Sequence, residues 1–70
     1  MKKLEECKEY FQDVFTNCLA EGTLNESIFD STEKAQYETL CDALRFIYGA
    51  QFEKVKPYWI NEALNEFYGK

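Results

Sequence analysis

The sequence predicts an all-α protein, most simply a small three-helix bundle. Three observations carry that prediction. Apolar residues recur at alternating three- and four-residue steps through most of the chain, which is the period of a one-sided helix. No segment alternates with period two for long enough to form a strand. The chain has 70 residues, which is room for one hydrophobic core and no more.

The first helix is expected from about Lys2 to Ala20. Leu4, Cys7, Phe11, Val14, Phe15, Cys18 and Leu19 form its apolar stripe. Glu5, Glu6, Glu9, Gln12, Asp13, Thr16 and Asn17 lie on the other face. Gly22 suits the left-handed position that closes a helix. Residues 22–31 are rich in turn and capping types and form the connection. Within it Asn25 is placed to cap a single turn over Glu26 to Phe29. Leu24, Ile28 and Phe29 are expected to cover the core, since a purely solvated loop has no use for three large apolar residues. Asn25-Glu26-Ser27 also matches a glycosylation sequon, which a cytosolic protein does not use.

The second helix starts at Asp30 or Ser31. Asp30 and Glu33 have the spacing of a capping box. Its stripe is Tyr37, Leu40, Cys41, Leu44, Ile47 and Tyr48. Ala50, Phe52 and Val55 continue the helical spacing beyond Gly49, and one interior glycine costs only about 1 kcal/mol relative to alanine. One long helix to about Val55, bent near Gly49, is therefore expected; two helices split at Gly49 are the rival. Pro57 disfavours helix at Lys56 and is suited to open a helix itself. The third helix is expected from Pro57 to Tyr68, with Ile60, Ala63, Leu64, Phe67 and Tyr68 inward and Trp59 at the edge.

Composition narrows the function. Apolar residues make up 46% of the chain and aromatics 17%, which is far from the composition of disordered chains. No run of 18 apolar residues exists to cross a membrane. The basic N-terminus lacks the apolar core of a signal peptide, so a cytoplasmic location is expected. Cys7, Cys18 and Cys41 are odd in number, lack a CxxC spacing and occur without any histidine. They read as small core residues in a reducing compartment, with no metal and no cofactor. No nucleophile motif, phosphate loop or zinc-protease motif is present, and the carboxylates spaced four apart form exposed ridges. The chain is therefore expected not to be an enzyme.

The net charge of −5 argues against direct nucleic-acid binding. Arg45, Lys54 and Lys56 make only a small basic region. The acids instead suggest a mimic of DNA, with Glu5, Glu9 and Asp13 as the contact surface, or else a solvated face. The aromatics exceed what a small bundle can enclose. Phe11, Phe15, Phe46, Phe52 and Phe67 are assigned to the core. Tyr10, Tyr48, Tyr58, Trp59 and Tyr68 are not all needed there. Tyr, Trp and Arg are enriched at binding hot spots, so Tyr10, Arg45, Tyr48, Tyr58 and Trp59 are the candidate contacts to another protein. The expected role is an adaptor or inhibitor of the kind phages and mobile elements direct at host proteins. A homodimer is a further expectation, since small helical domains often gain core that way.

One stretch resembles a known family. Glu33-x-Ala35-x-Tyr37-x-x-x-Cys41-Asp42, then Phe52-Glu53-Lys54-Val55, Pro57 and Trp59, is similar to the Hha/YmoA nucleoid modulators. The resemblance implies a helical protein that binds another nucleoid protein. Asp42-Ala43-Leu44 stands where that family has Asp-His-Arg. No functional residue is carried over.

Overall fold

The computed structural model describes residues 3–69. A 3₁₀ turn over Leu4–Cys7 leads into α1 (Lys8–Glu21), followed by α2 (Thr32–Tyr48) and α3 (Ala50–Tyr68). The three helices form a bundle, and no strand occurs among the described residues. The expected start of the first helix at Lys2 lies outside the described residues. None of the helices is long and apolar enough to cross a membrane.

The α1 stripe is placed as its spacing predicts. Phe11, Val14, Phe15 and Cys18 are buried, and Leu4, Cys7 and Leu19 pack against them. Gly22 closes the helix in the left-handed region at φ 68°. Its N–H donates to the Leu19 carbonyl and that of Thr23 to the Cys18 carbonyl, the paired bonds that satisfy helix-end carbonyls.

The connection departs from expectation. It holds successive turns, Thr23 to Glu26 and Ser27 to Asp30, with no helical turn capped by Asn25. Leu24 packs on the core, but Ile28 and Phe29 face solvent, Phe29 at 91% exposure. Ser31, not Asp30, caps α2: its Oγ accepts from the Lys34 N–H at 3.2 Å. Lys34 then ties the connection down, since its ammonium donates to the Leu24 carbonyl at 2.5 Å and pairs with Glu38 at 3.3 Å. The Cys18 thiol donates to the Glu33 carbonyl at 3.1 Å, fixing the start of α2 on α1.

The long second helix is replaced by its rival. Gly49 breaks the chain at φ 59°, ψ −128°, a conformation that side chains with a Cβ rarely adopt. Helix α3 then begins at Ala50 and continues through Pro57. The proline removes one intrahelical bond, at a cost of about 3 kcal/mol. Burial accounts for the outcome: Phe52, Trp59 and Ala63, at i, i+7 and i+11, are all buried on one continuous helix face. A helix restarted at Pro57 would lose the phase between Phe52 and Trp59. Continuity also moves Trp59 from the edge to the centre. Phe67 and Tyr68, expected inward, lie at the exposed end.

The core is aromatic. Phe11 lies between the three helices, with ring centroids 5.8 Å from Tyr37, 5.7 Å from Phe52 and 5.6 Å from Trp59. Such tilted and edge-on contacts add about 0.5–1.5 kcal/mol per pair beyond the area they bury. Gln12 donates to the Trp59 carbonyl at 3.1 Å, joining α1 to α3 at the same level.

Candidate interaction surfaces

The five predicted contact residues have separate fates. Tyr10 is 63% exposed and Tyr58 is 75% exposed. Arg45 is solvent-facing but engaged: it pairs with Asp42 at 3.2 Å and with Glu53 across the Gly49 joint. The hydrogen bond with Glu53 raises the guanidinium's pKa and holds the Glu53 carboxyl below its ordinary value. Arg45 thus braces α2 against α3. Tyr48 is half-buried, its hydroxyl 3.8 Å from the Cys7 sulfur, and desolvation raises its pKa. Trp59 is the clear correction. It is only 7% exposed, enclosed against Phe11 and Phe52, and so presents no surface to a partner.

Two exposed groups were missed. Phe46, assigned to the core, is 92% exposed. It lies nine residues beyond buried Tyr37, about 900° of helical rotation, which places it opposite the core-facing side. Ile47 beside it is half-exposed. Helical-wheel arithmetic alone would have found Phe46. Phe29 carries no such signal, because it sits in the turn of residues 28–30.

Two contrasting grooves run along α1, and Tyr10 lines one of them. Between α1 and α2 lies an apolar groove of about 410 Å³, lined by Tyr10, Thr32, Ala35, Thr39, Leu40 and Ala43 among others. None of its lining residues is charged. Between α1 and α3 lies a polar groove of about 510 Å³. Here the structure brings the predicted acidic trio, Glu5, Glu9 and Asp13, together with Glu62 and Glu66 from α3. Among the described residues Lys8 is the single base lining it, and it pairs with Glu62 at 2.9 Å. The sequence pointed to Glu5, Glu9 and Asp13 but not to the two α3 acids, which join them only through the packing of the helices.

The cysteines are free thiols, Cys18 and Cys41 buried and Cys7 half-buried. Burial raises the pKa of Cys18 and of Cys41, which keeps both protonated at neutral pH. Among the described residues, no group of His, Cys, Asp and Glu side chains is arranged to hold a metal ion.

Comparison with known protein families, with curated proteins and with solved structures returns no match. The residues that resemble the Hha/YmoA pattern include Tyr37, Cys41, Phe52 and Trp59, all of them buried. Their spacing is accounted for by the packing of this core.

Proposed function

We propose that this chain is a small helical protein–protein interaction module, an adaptor or inhibitor that binds another protein and covers part of its surface. One observation carries the reading. Among the described residues the core is closed by ten buried apolar residues, yet eight large apolar side chains stay exposed, Tyr10, Phe46, Tyr58 and Tyr68 among them. Burying such a side chain is worth about 1.5–3 kcal/mol, and aromatic side chains of this kind anchor protein interfaces. The test is affinity capture from source-cell lysate with the intact chain. A stoichiometric protein partner is expected, and Tyr58→Ser should reduce its recovery. Recovery of no stoichiometric partner overturns the reading.

The acidic groove favours a second reading, a mimic of nucleic acid that occupies a DNA-binding protein. Five carboxylates line one groove with a single paired lysine, so a basic partner surface is the complementary occupant. Inhibition of a DNA-binding target should then weaken steeply as salt rises. The double substitution Glu9→Gln and Asp13→Asn should abolish it while leaving stability within about 0.5 kcal/mol. Inhibition indifferent to both salt and these changes removes this reading.

A further inference from the structure

Gly49 alone joins α2 to α3, in a conformation that glycine adopts far more readily than other residues. Helical spacing nevertheless runs through it without a break. On α2 the residues turned to the core include Tyr37, Cys41, Leu44 and Tyr48. On α3 they include Phe52, Val55, Trp59 and Ala63. From Tyr37 onward the steps are four, three, four, four, three, four and four, so the pattern repeats every eleven residues. Eleven residues make three helical turns, and on one continuous helix these side chains would share a single stripe. A joint that breaks the helix requires no such agreement across it.

We infer that the chain has a second folded state, a dimer in which Gly49 is helical, α2 and α3 form one helix, and each copy's α3 packs on the other copy. The joined helix would run from Thr32 to Tyr68, about 55 Å, whereas the closed chain is 31 Å in its longest dimension. Opening the joint carries Phe52, Trp59 and Ala63 away from their own α1. The surface that fits this face is already defined, because Phe11 packs against both rings in the closed chain. Another copy of this chain presents that surface ready-made. Exchange of an identical element between copies re-forms the contacts of α3 and alters only the joint.

The area suffices for a stable contact. Phe52 and Trp59 from both copies bury roughly 600–1,000 Å² between them. With the surface they cover on the other copy, the contact reaches the range of standard interfaces, about 1,200–2,000 Å². The exchange also rebuilds the acidic groove from two chains. Glu5, Glu9 and Asp13 would come from one copy and Glu62 and Glu66 from the other. The dimer would carry two such grooves.

Gly49 sets the balance between the two states. A Cβ added there meets no atom within 4 Å in the closed chain, so alanine acts through the backbone alone. Alanine favours helix over glycine by about fivefold per site. It disfavours the closed joint by roughly tenfold more. The dimer holds two such sites, so Gly49→Ala should raise its association constant on the order of 10³-fold. Gly22→Ala is the control. Gly22 is also at positive φ with open space around it, but it leads into a connection and not into another helix.

The full chain and both variants are refolded at concentrations from about 1 to 500 μM and examined by sedimentation equilibrium. Gly49→Ala should form a dimer at least a hundredfold tighter than the unaltered chain, and Gly22→Ala should not. Isotope-labelled and unlabelled Gly49→Ala chains are then refolded together, and NOEs between copies are selected by isotope filtering. The Phe11 and Trp59 rings, 5.6 Å apart, should give such NOEs, whereas a side-by-side dimer keeps them within one copy. Circular dichroism should show a helical fold for Gly49→Ala that melts at higher temperature as concentration rises. The proposal is overturned by a monomeric Gly49→Ala, by equal dimerisation of Gly22→Ala, or by Phe11–Trp59 NOEs confined to one copy. A Gly49→Ala chain unfolded at every concentration overturns it too, since the dimer should restore the fold. The proposal rests on the helix phase and not on the interaction-module reading. Purified protein decides it, whereas capture from lysate decides the other.

Discussion

The two flanks of α1 differ in chemistry although one helix supplies a wall to both. Towards α2 the groove is uncharged, and Phe46 and Ile47 lie farther along the same helix. Towards α3 the groove is polar and lined by five carboxylates. The division follows from helical geometry. Tyr10 stands on one side of the buried α1 stripe, and Gln12 and Lys8 stand on the other, where they bond to α3. A three-helix bundle of this size cannot hide all of its surface. Its sequence nevertheless sorts the residues that line these two grooves, uncharged towards α2 and acidic towards α3. Apolar contact is insensitive or favourable to salt, whereas the acidic groove attracts cations and loses that attraction as salt rises. The two surfaces can therefore be separated in one experiment by ionic strength.

The strongest way to break this contrast is from below. Phe11 supports both grooves, since its ring meets Tyr37 of α2 and both Phe52 and Trp59 of α3. Phe11→Ala should cost about 3–5 kcal/mol, a large share of the roughly 5–15 kcal/mol available to a domain. Urea unfolding should show a midpoint shifted strongly downward or no cooperative transition at all.

A one-sided change comes next. Ser31 caps α2 at the end that borders the apolar groove. Ser31→Ala should cost about 1 kcal/mol. Hydrogen exchange should quicken in the first turn of α2 and stay unchanged in the α3 residues that line the acidic groove.

The smallest effect concerns the brace between the outer helices. Bonding to Arg45 lowers the Glu53 carboxyl pKa in the folded protein relative to its ordinary value of 4.5. The ionised form is thus favoured by folding. Its contribution is present above pH 4.5 and is lost as pH falls through the lowered folded value. Both side chains are half-exposed, so the gain is slight. An NMR titration should place Glu53 below the ordinary value, and Arg45→Gln should return it there.

Much of this architecture was legible in the residues. The α1 stripe, the stop at Gly22 and the acidic ridge of Glu5, Glu9 and Asp13 follow from spacing alone. The helix phase of α3 did not, because Pro57 has a strong local preference and the tertiary burial of Phe52 and Trp59 outweighs it. The surplus of aromatics was countable, but a count does not say which rings remain outside. Trp59 went in because α3 is continuous, and Phe46 stayed out because its angle on α2 is opposite that of Tyr37. The α3 half of the acidic groove depends on which helices become neighbours, and spacing within one helix does not encode that.

The Gly49 joint has a consequence for how the chain tolerates change in length. A helix turns by about 100° per residue, and α2 and α3 are separated by this one residue. One residue inserted or deleted there would rotate the Phe52, Trp59 and Ala63 face off the core unless the joint reshaped itself. The connection over residues 22–31 has no such phase to keep, and lengthening it by a few exposed residues near Phe29 changes closure entropy by only a fraction of a kcal/mol. Length variation, and any fused or inserted segment, belongs in the first connection; the second admits neither.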